Sequence, residues 1–191
     1  MSNSKLTRTQ KQVILICAML IVMVLVTTLT GLLGRMTFIT RSIGGEKKWA
    51  GIYVSLGNAV VYLSVLVLGG PWGAAVSVVG ATISDLILGA NERILGTIFI
   101  NVGTAFFIAA FCRHCTSWKR SLAVAAVAEL IMILGYFLFD MIVMREFVVA
   151  ALALLVDIGQ AVVCGLLGAV ILRRIKPLRP ETLPTVRREP Q

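Results

Sequence analysis

The stretch "VSLGNAVVYLSVLVLGGPWGAAVSVVGATISDLILG", residues 54–89, decides the fold. Two near-continuous apolar runs, residues 52–68 and 72–88, meet at Gly69, Gly70 and Pro71. Each run is close to the shortest helix that crosses a bilayer, roughly 17 residues. Neither alternates with the period of two that a membrane β-barrel strand requires. Lipid offers no partner for backbone N–H and C=O groups, so such runs span as helices that satisfy those groups internally. Glycine and proline between them supply the turn.

Four more runs of the same kind flank this pair, at residues 13–33, 94–111, 122–143 and 147–172. The sequence therefore predicts an all-α integral membrane protein, a bundle of six transmembrane helices over residues 1–175. Residues 176–191 carry Pro177, Pro180, Pro184 and Pro190 among polar residues and read as a disordered cytoplasmic tail. The composition agrees. Of 191 residues, 58% are hydrophobic and 14% charged, against about 45–50% and about 25% in soluble domains. The first run is too long for the h-region of a cleaved signal, about 7–15 residues, and reads as a spanning helix.

The net charge of +9 lies in the segments that flank the spans, so it orients the chain in a membrane and gives no reason to invoke nucleic acid. With the N-terminus inside, 12 of the 18 Lys and Arg residues fall on the cytoplasmic side and 6 outside. The positive-inside rule then puts both termini in the cytoplasm of a multi-pass cell-membrane protein. The longest internal loop, residues 35–50, is outside and brings Arg35, Arg41, Lys47 and Lys48.

Polar side chains inside the spans are the candidate site. An ionisable group at the bilayer centre costs about 2.5–3.5 kcal/mol on insertion scales, so it faces a protein interior or a cavity. In the predicted topology Asn58, Asp85, Asn101, Tyr136, Asp140, Asp157 and Gln160 fall in the outer half or at mid-depth. Tyr136 and Asp140 are four apart and share a helix face, as do Asp157 and Gln160 at three apart. Glu129 lies on the same stripe as Tyr136 but nearer the cytoplasm. An outward-opening polar pocket suggests capture of a small solute. The competing explanation is that these groups only bond one another and hold helices together. On the first span Thr27, Thr30, Gly31 and Gly34 form small-xxx-small pairs, which suggest an outward face for a partner protein.

The quoted stretch resembles the substrate-binding S components of energy-coupling factor (ECF) transporters, in the riboflavin-type group. "LGYFLFD" at residues 134–140 and "AALALLVDIGQAVVCGLLGAVI" at residues 150–171 resemble two further motifs of that group. The likeness runs over residues 54–171. Asn58 stands where the group often has Asp, Asn101 near a common Lys, Asp140 for Glu and Asp157 for Asn. The resemblance implies six helices, a vitamin-like small-molecule substrate bound near the outer surface, and partnership with a membrane coupling subunit and two ATPase subunits. The chain has no G-x-x-x-x-G-K-[ST] loop of its own, which fits a subunit that leaves ATP to partners.

Other chemistry finds little support. Cys112, His114 and Cys115 give at most three ligands, one short of a structural zinc site, so no metal or cofactor is expected. An intramembrane enzyme needs an activated nucleophile or a metal cluster, and the chain shows neither signature. A non-transport membrane scaffold is the main alternative, ahead of such an enzyme. The topology has a direct consequence. In a background without the four native cysteines, Gly44→Cys reacts with an impermeant thiol reagent added outside intact cells. Labelling from the cytoplasmic side alone reverses the orientation.

Overall fold

The computed structural model describes residues 8–41, 47–144 and 147–175. Helix α1, Arg8–Leu33, leads into a two-stranded hairpin, β1 at Arg35–Arg41 and β2 at Lys47–Tyr53. Then come α2 (Gly57–Leu68), α3 (Gly70–Leu88), α4 (Ile94–Phe111), α5 (Trp118–Phe139) and α6 (Phe147–Arg174). Short 3-10 turns at Asn91–Arg93 and Cys112–His114 precede and follow α4, and a π-helical turn, Asp140–Met144, extends α5. The tail, residues 176–191, and Gly44 lie outside the described residues, as do the side chains of Arg41, Lys47 and Lys48.

Five helical segments are long and apolar enough to cross a membrane: Thr9–Leu33, Gly70–Leu88, Asn91–Phe111, Trp118–Ile142 and Ala150–Arg174. The sixth expected span needs correction. Helix α2 has 12 residues, about 18 Å at 1.5 Å per residue, well short of a hydrocarbon core of about 30 Å. The apolar run at residues 52–68 had merged two structures. Ile52 and Tyr53 belong to β2, where they pair antiparallel with Met36 and Arg35. Aliphatic and aromatic residues serve a strand as well as a buried helix, and hydropathy alone does not separate them. The loop expected at residues 35–50 is this hairpin, an addition to an otherwise helical protein.

Helix α2 can be short because it faces protein and not lipid. Ten of its residues are buried, and it packs on α1, α3, α4 and α6. Around it α1 lies on α3, α3 on α4, α4 on α5 and α5 on α6. Tyr62, Val61, Val65 and Leu66 of α2 form the centre of the core with Met23, Ile108 and Ala125. The outer surface is apolar in the opposite sense. Ile21, Leu25 and Leu29 of α1, Phe99 of α4 and Leu155, Val162 and Leu166 of α6 stand exposed. Side chains of this kind on every outer face suit a hydrocarbon solvent. At the α4–α5 turn Cys112 and Cys115 are buried free thiols, and burial pushes the Cys115 thiol up from its ordinary value, which keeps it protonated and inert.

The turn between α2 and α3 is a single residue, Gly69, at φ 86°. Only glycine adopts that conformation without strain, and Pro71 follows in the first turn of α3, where its missing N–H is not needed. So tight a connection forces the two backbones together at Gly73, where an added Cβ would sit 2.6 Å from Val65 Cα. Gly73→Ala therefore destabilises the protein by about 1–3 kcal/mol through overpacking, read as a lower unfolding midpoint in detergent. Gly103→Ala, which meets nothing within 4 Å, leaves the midpoint unlowered.

Candidate functional site

The N-terminus of α2 has no capping side chain of its own, since its N-cap is Leu56. Neighbours supply the acceptors. Ser55 N–H donates to Gln160 Oε1 of α6 at 2.6 Å, Leu56 N–H to Thr30 Oγ1 of α1 at 3.0 Å, and Gly57 N–H to Ser55 Oγ at 3.0 Å. Orphan donors at a helix start must find partners, and here the partners tie three helices together at one end of the bundle. That end also carries the hairpin, the α3–α4 turn and the α5–α6 junction.

A cavity opens at this point. It draws one wall from each helix: Thr27 of α1, Asn58 of α2, Asp85 of α3, Asn101 of α4, Tyr136 of α5, and Asp157 with Gln160 of α6. Six of the seven residues expected to bind substrate therefore share one void, and the seventh, Asp140, stands directly behind it. Asp140 is buried and ion-paired with Arg93, which lines the cavity from the 3-10 turn before α4. The π-helical turn that begins at Asp140 aims this carboxylate at the bundle interior; such turns recur at functional sites. The void itself is narrow, about 50 Å³, room for a few waters.

Its polar groups are held in a fixed relay. Thr97 Oγ1 donates to Asp85 Oδ2 at 2.6 Å, and Tyr136 OH donates to Thr97 Oγ1 at 3.2 Å. Asn101 Nδ2 donates to the Thr97 carbonyl at 2.9 Å. Beneath the cavity Glu129, almost fully buried, accepts from Asn58 Nδ2 at 3.1 Å and from Tyr62 OH at 3.0 Å. A carboxyl group in that core is tolerable because both oxygens are bonded. Glu129 thus joins α5 to α2 and belongs to the floor of the site, although its depth in the sequence had set it apart.

One expectation changes. The small residues of α1 do not make an outward docking face. Thr27 lines the cavity, Thr30 caps α2, Gly31 is buried, and Gly34 lies against Val54, where an added Cβ would come within 2.9 Å. They are small because α2 and the hairpin approach α1 closely there, while the exposed side of α1 carries large aliphatics. Among the described residues the cation that lines the cavity is Arg93. Arg93, Thr97 and Asn101 recur every four residues and so share one helix face; stepping back from Asn101 would have found both of the others. Ser55 carried no such signal, because its place depends on a backbone N–H.

A larger cavity of about 340 Å³ lies between α5 and α6, among Leu122, Leu130, Ile133, Val162 and Leu166, and reaches Glu129. No other ionisable group converges on it, so the narrower polar void is the better site. Among the described residues no grouping of His, Cys, Asp or Glu could hold a metal ion.

Comparison with known proteins separates the transporter from the scaffold. No curated protein and no solved structure gives a significant match. The sequence model of one protein family, ECF-type riboflavin transporter, S component, matches residues 20–177, a range that runs from within α1 to the end of α6 and takes in the cavity residues named above. Such proteins are substrate-binding subunits of membrane transporters and not enzymes. This chain belongs to the ECF-type riboflavin transporter S component family.

Proposed function

We propose that this protein captures riboflavin, or a closely related small metabolite, at the outer surface of the cell membrane and delivers it to a membrane coupling subunit driven by two ATPase subunits. The observation that carries this reading is the convergence of polar side chains from all six helices on one void. Each would be costly in lipid, and groups that served only to join helices would need no shared cavity. Both termini then lie in the cytoplasm, and the site lies at the end of the bundle away from the start of α1, on the side from which substrate arrives. The basic residues Lys119, Arg120, Arg173 and Arg174 sit at the opposite end, as the positive-inside rule asks.

The empty void is far smaller than a ligand pocket of about 300–1,000 Å³. Binding therefore spreads the helix ends around it. The groups best able to yield are Arg93, 14% exposed in its side chain, and the half-buried Asn58, Tyr136, Asp157 and Gln160. ATP hydrolysis has no site in this chain and acts through the partners. The face of α1 available to a coupling subunit is the aliphatic one that carries Ile21, Leu25 and Leu29.

Uptake of labelled riboflavin by cells that express the chain with a coupling module tests this. Asp140→Ala and Gln160→Ala each lower uptake, normalised to protein in the membrane, by about 10-fold or more, the cost of a lost hydrogen bond to a charged or buried group. Unchanged uptake in both variants sinks the site.

A further inference from the structure

The apolar cavity of about 340 Å³ between α5 and α6 plays no part in the polar site. Leu122 of α5 and Ile158, Val162 and Leu166 of α6 line it and are themselves exposed, so it is a groove that faces the surrounding lipid. Ala126 and Gly165 give it depth between those larger side chains. A Cβ at Gly165 would already stand 3.4 Å from Glu129 Cγ at the floor. Both oxygens of Glu129 are taken by Asn58 and Tyr62 of α2, so the groove offers a guest little beyond hydrocarbon.

The two walls of the groove lead to cations. On α5 the face of Ala126 and Leu122 continues back to Lys119, four and three residues at a step. On α6 the face of Val162 and Leu166 continues through Val170 to Arg173 by the same steps. At 1.5 Å per residue Lys119 lies about 4.5 Å beyond Leu122 along its helix, and Arg173 about 10 Å beyond Leu166. Both are exposed, as are Arg120 and Arg174 beside them. Trp118, exposed next to Lys119, is of the residue type that gathers at the membrane–water boundary. The positive-inside rule accounts for basic residues anywhere at this end of the bundle; it does not ask that they stand on the two faces that wall a groove. We propose that the α5–α6 groove holds an acyl chain of one anionic phospholipid, with the lipid phosphate between Lys119 and Arg173. Hydrocarbon walls suit a chain of methylenes, and the cations beyond them suit a phosphate. A phospholipid joins the two at the boundary where Trp118 sits. Basic pockets between transmembrane helices on the cytoplasmic side bind such headgroups. With both termini in the cytoplasm, as proposed above, the lipid comes from the inner leaflet; the site does not depend on what the polar cavity captures.

Native mass spectrometry of the purified full-length protein tests this, with phosphatidylglycerol and phosphatidylcholine of the same acyl chains titrated in detergent. One phosphatidylglycerol binds at least about 10-fold more tightly than phosphatidylcholine, the effect of two cations on a net anionic headgroup. Lys119→Gln and Arg173→Gln each weaken phosphatidylglycerol about fivefold. Lys11→Gln, which removes an exposed cation from the start of α1, changes it by less than about twofold. Ala126→Phe fills the groove from an exposed position on α5 and weakens phosphatidylglycerol about 10-fold. Affinities for the two lipids within about twofold, or a loss in Lys11→Gln equal to that in Lys119→Gln, overturn the lipid site. Undiminished binding to Ala126→Phe overturns it too; if that variant also fails to assemble with a coupling subunit, the groove belongs to a partner helix. If Ala126→Phe does not accumulate, the comparison of Lys119→Gln with Lys11→Gln decides. Each of these results leaves the riboflavin reading standing.

Discussion

Lipid does not hydrogen-bond, and nearly every feature of this bundle answers to that fact. Backbone groups close on themselves in helices. The start of α2 has no side-chain cap of its own, and its amides borrow oxygens from Gln160 and Thr30 of two neighbouring helices. Glu129 is bonded at both oxygens, and Asp140 meets Arg93. The exterior needs none of this and is left to Ile21, Leu25, Leu155 and their like.

Helix α2 is the piece on which the rest is organised. It is short, buried and packed on four of the other five helices. Because it does not reach across a bilayer, the chain before it is free to form a hairpin, and its N-terminus ends inside the bundle. At that end side chains from all six helices line the void. The close turn at Gly69 and the contact at Gly73 hold α2 against α3.

The same polar groups bond the protein and line the cavity. Asn58 bonds Glu129 and faces the cavity; Gln160 caps α2 and faces the cavity; Asn101 bonds its own helix and faces the cavity. Joining helices and facing the void are therefore compatible for these residues. Each has one hand tied to the protein, and the free hand has its donor or acceptor character assigned by the tied one. This is how a membrane protein can keep several polar residues in its interior without leaving them loose.

The membrane class, the apolar runs and the depth of the polar residues were all legible in the chain, because hydropathy and helical spacing are local and lipid penalises exceptions. So was membership of the cavity for Asn58, Asp85, Asn101, Tyr136, Asp157 and Gln160. Where residues 52–68 change from strand to helix was not legible, because Ile52 and Tyr53 suit either and only their pairing with Met36 and Arg35 decides. The inward turn of Thr27, Thr30, Gly31 and Gly34 was equally hidden: small residues announce close approach but not the direction from which the neighbour comes. The pairing of Arg93 with Asp140 was hidden too, because only the packing of α4 against the end of α5 brings them together. Local composition fixed what must leave water and what must avoid lipid; which polar group meets which was settled only when six helices met in three dimensions, since a hydrogen bond needs both partners in place.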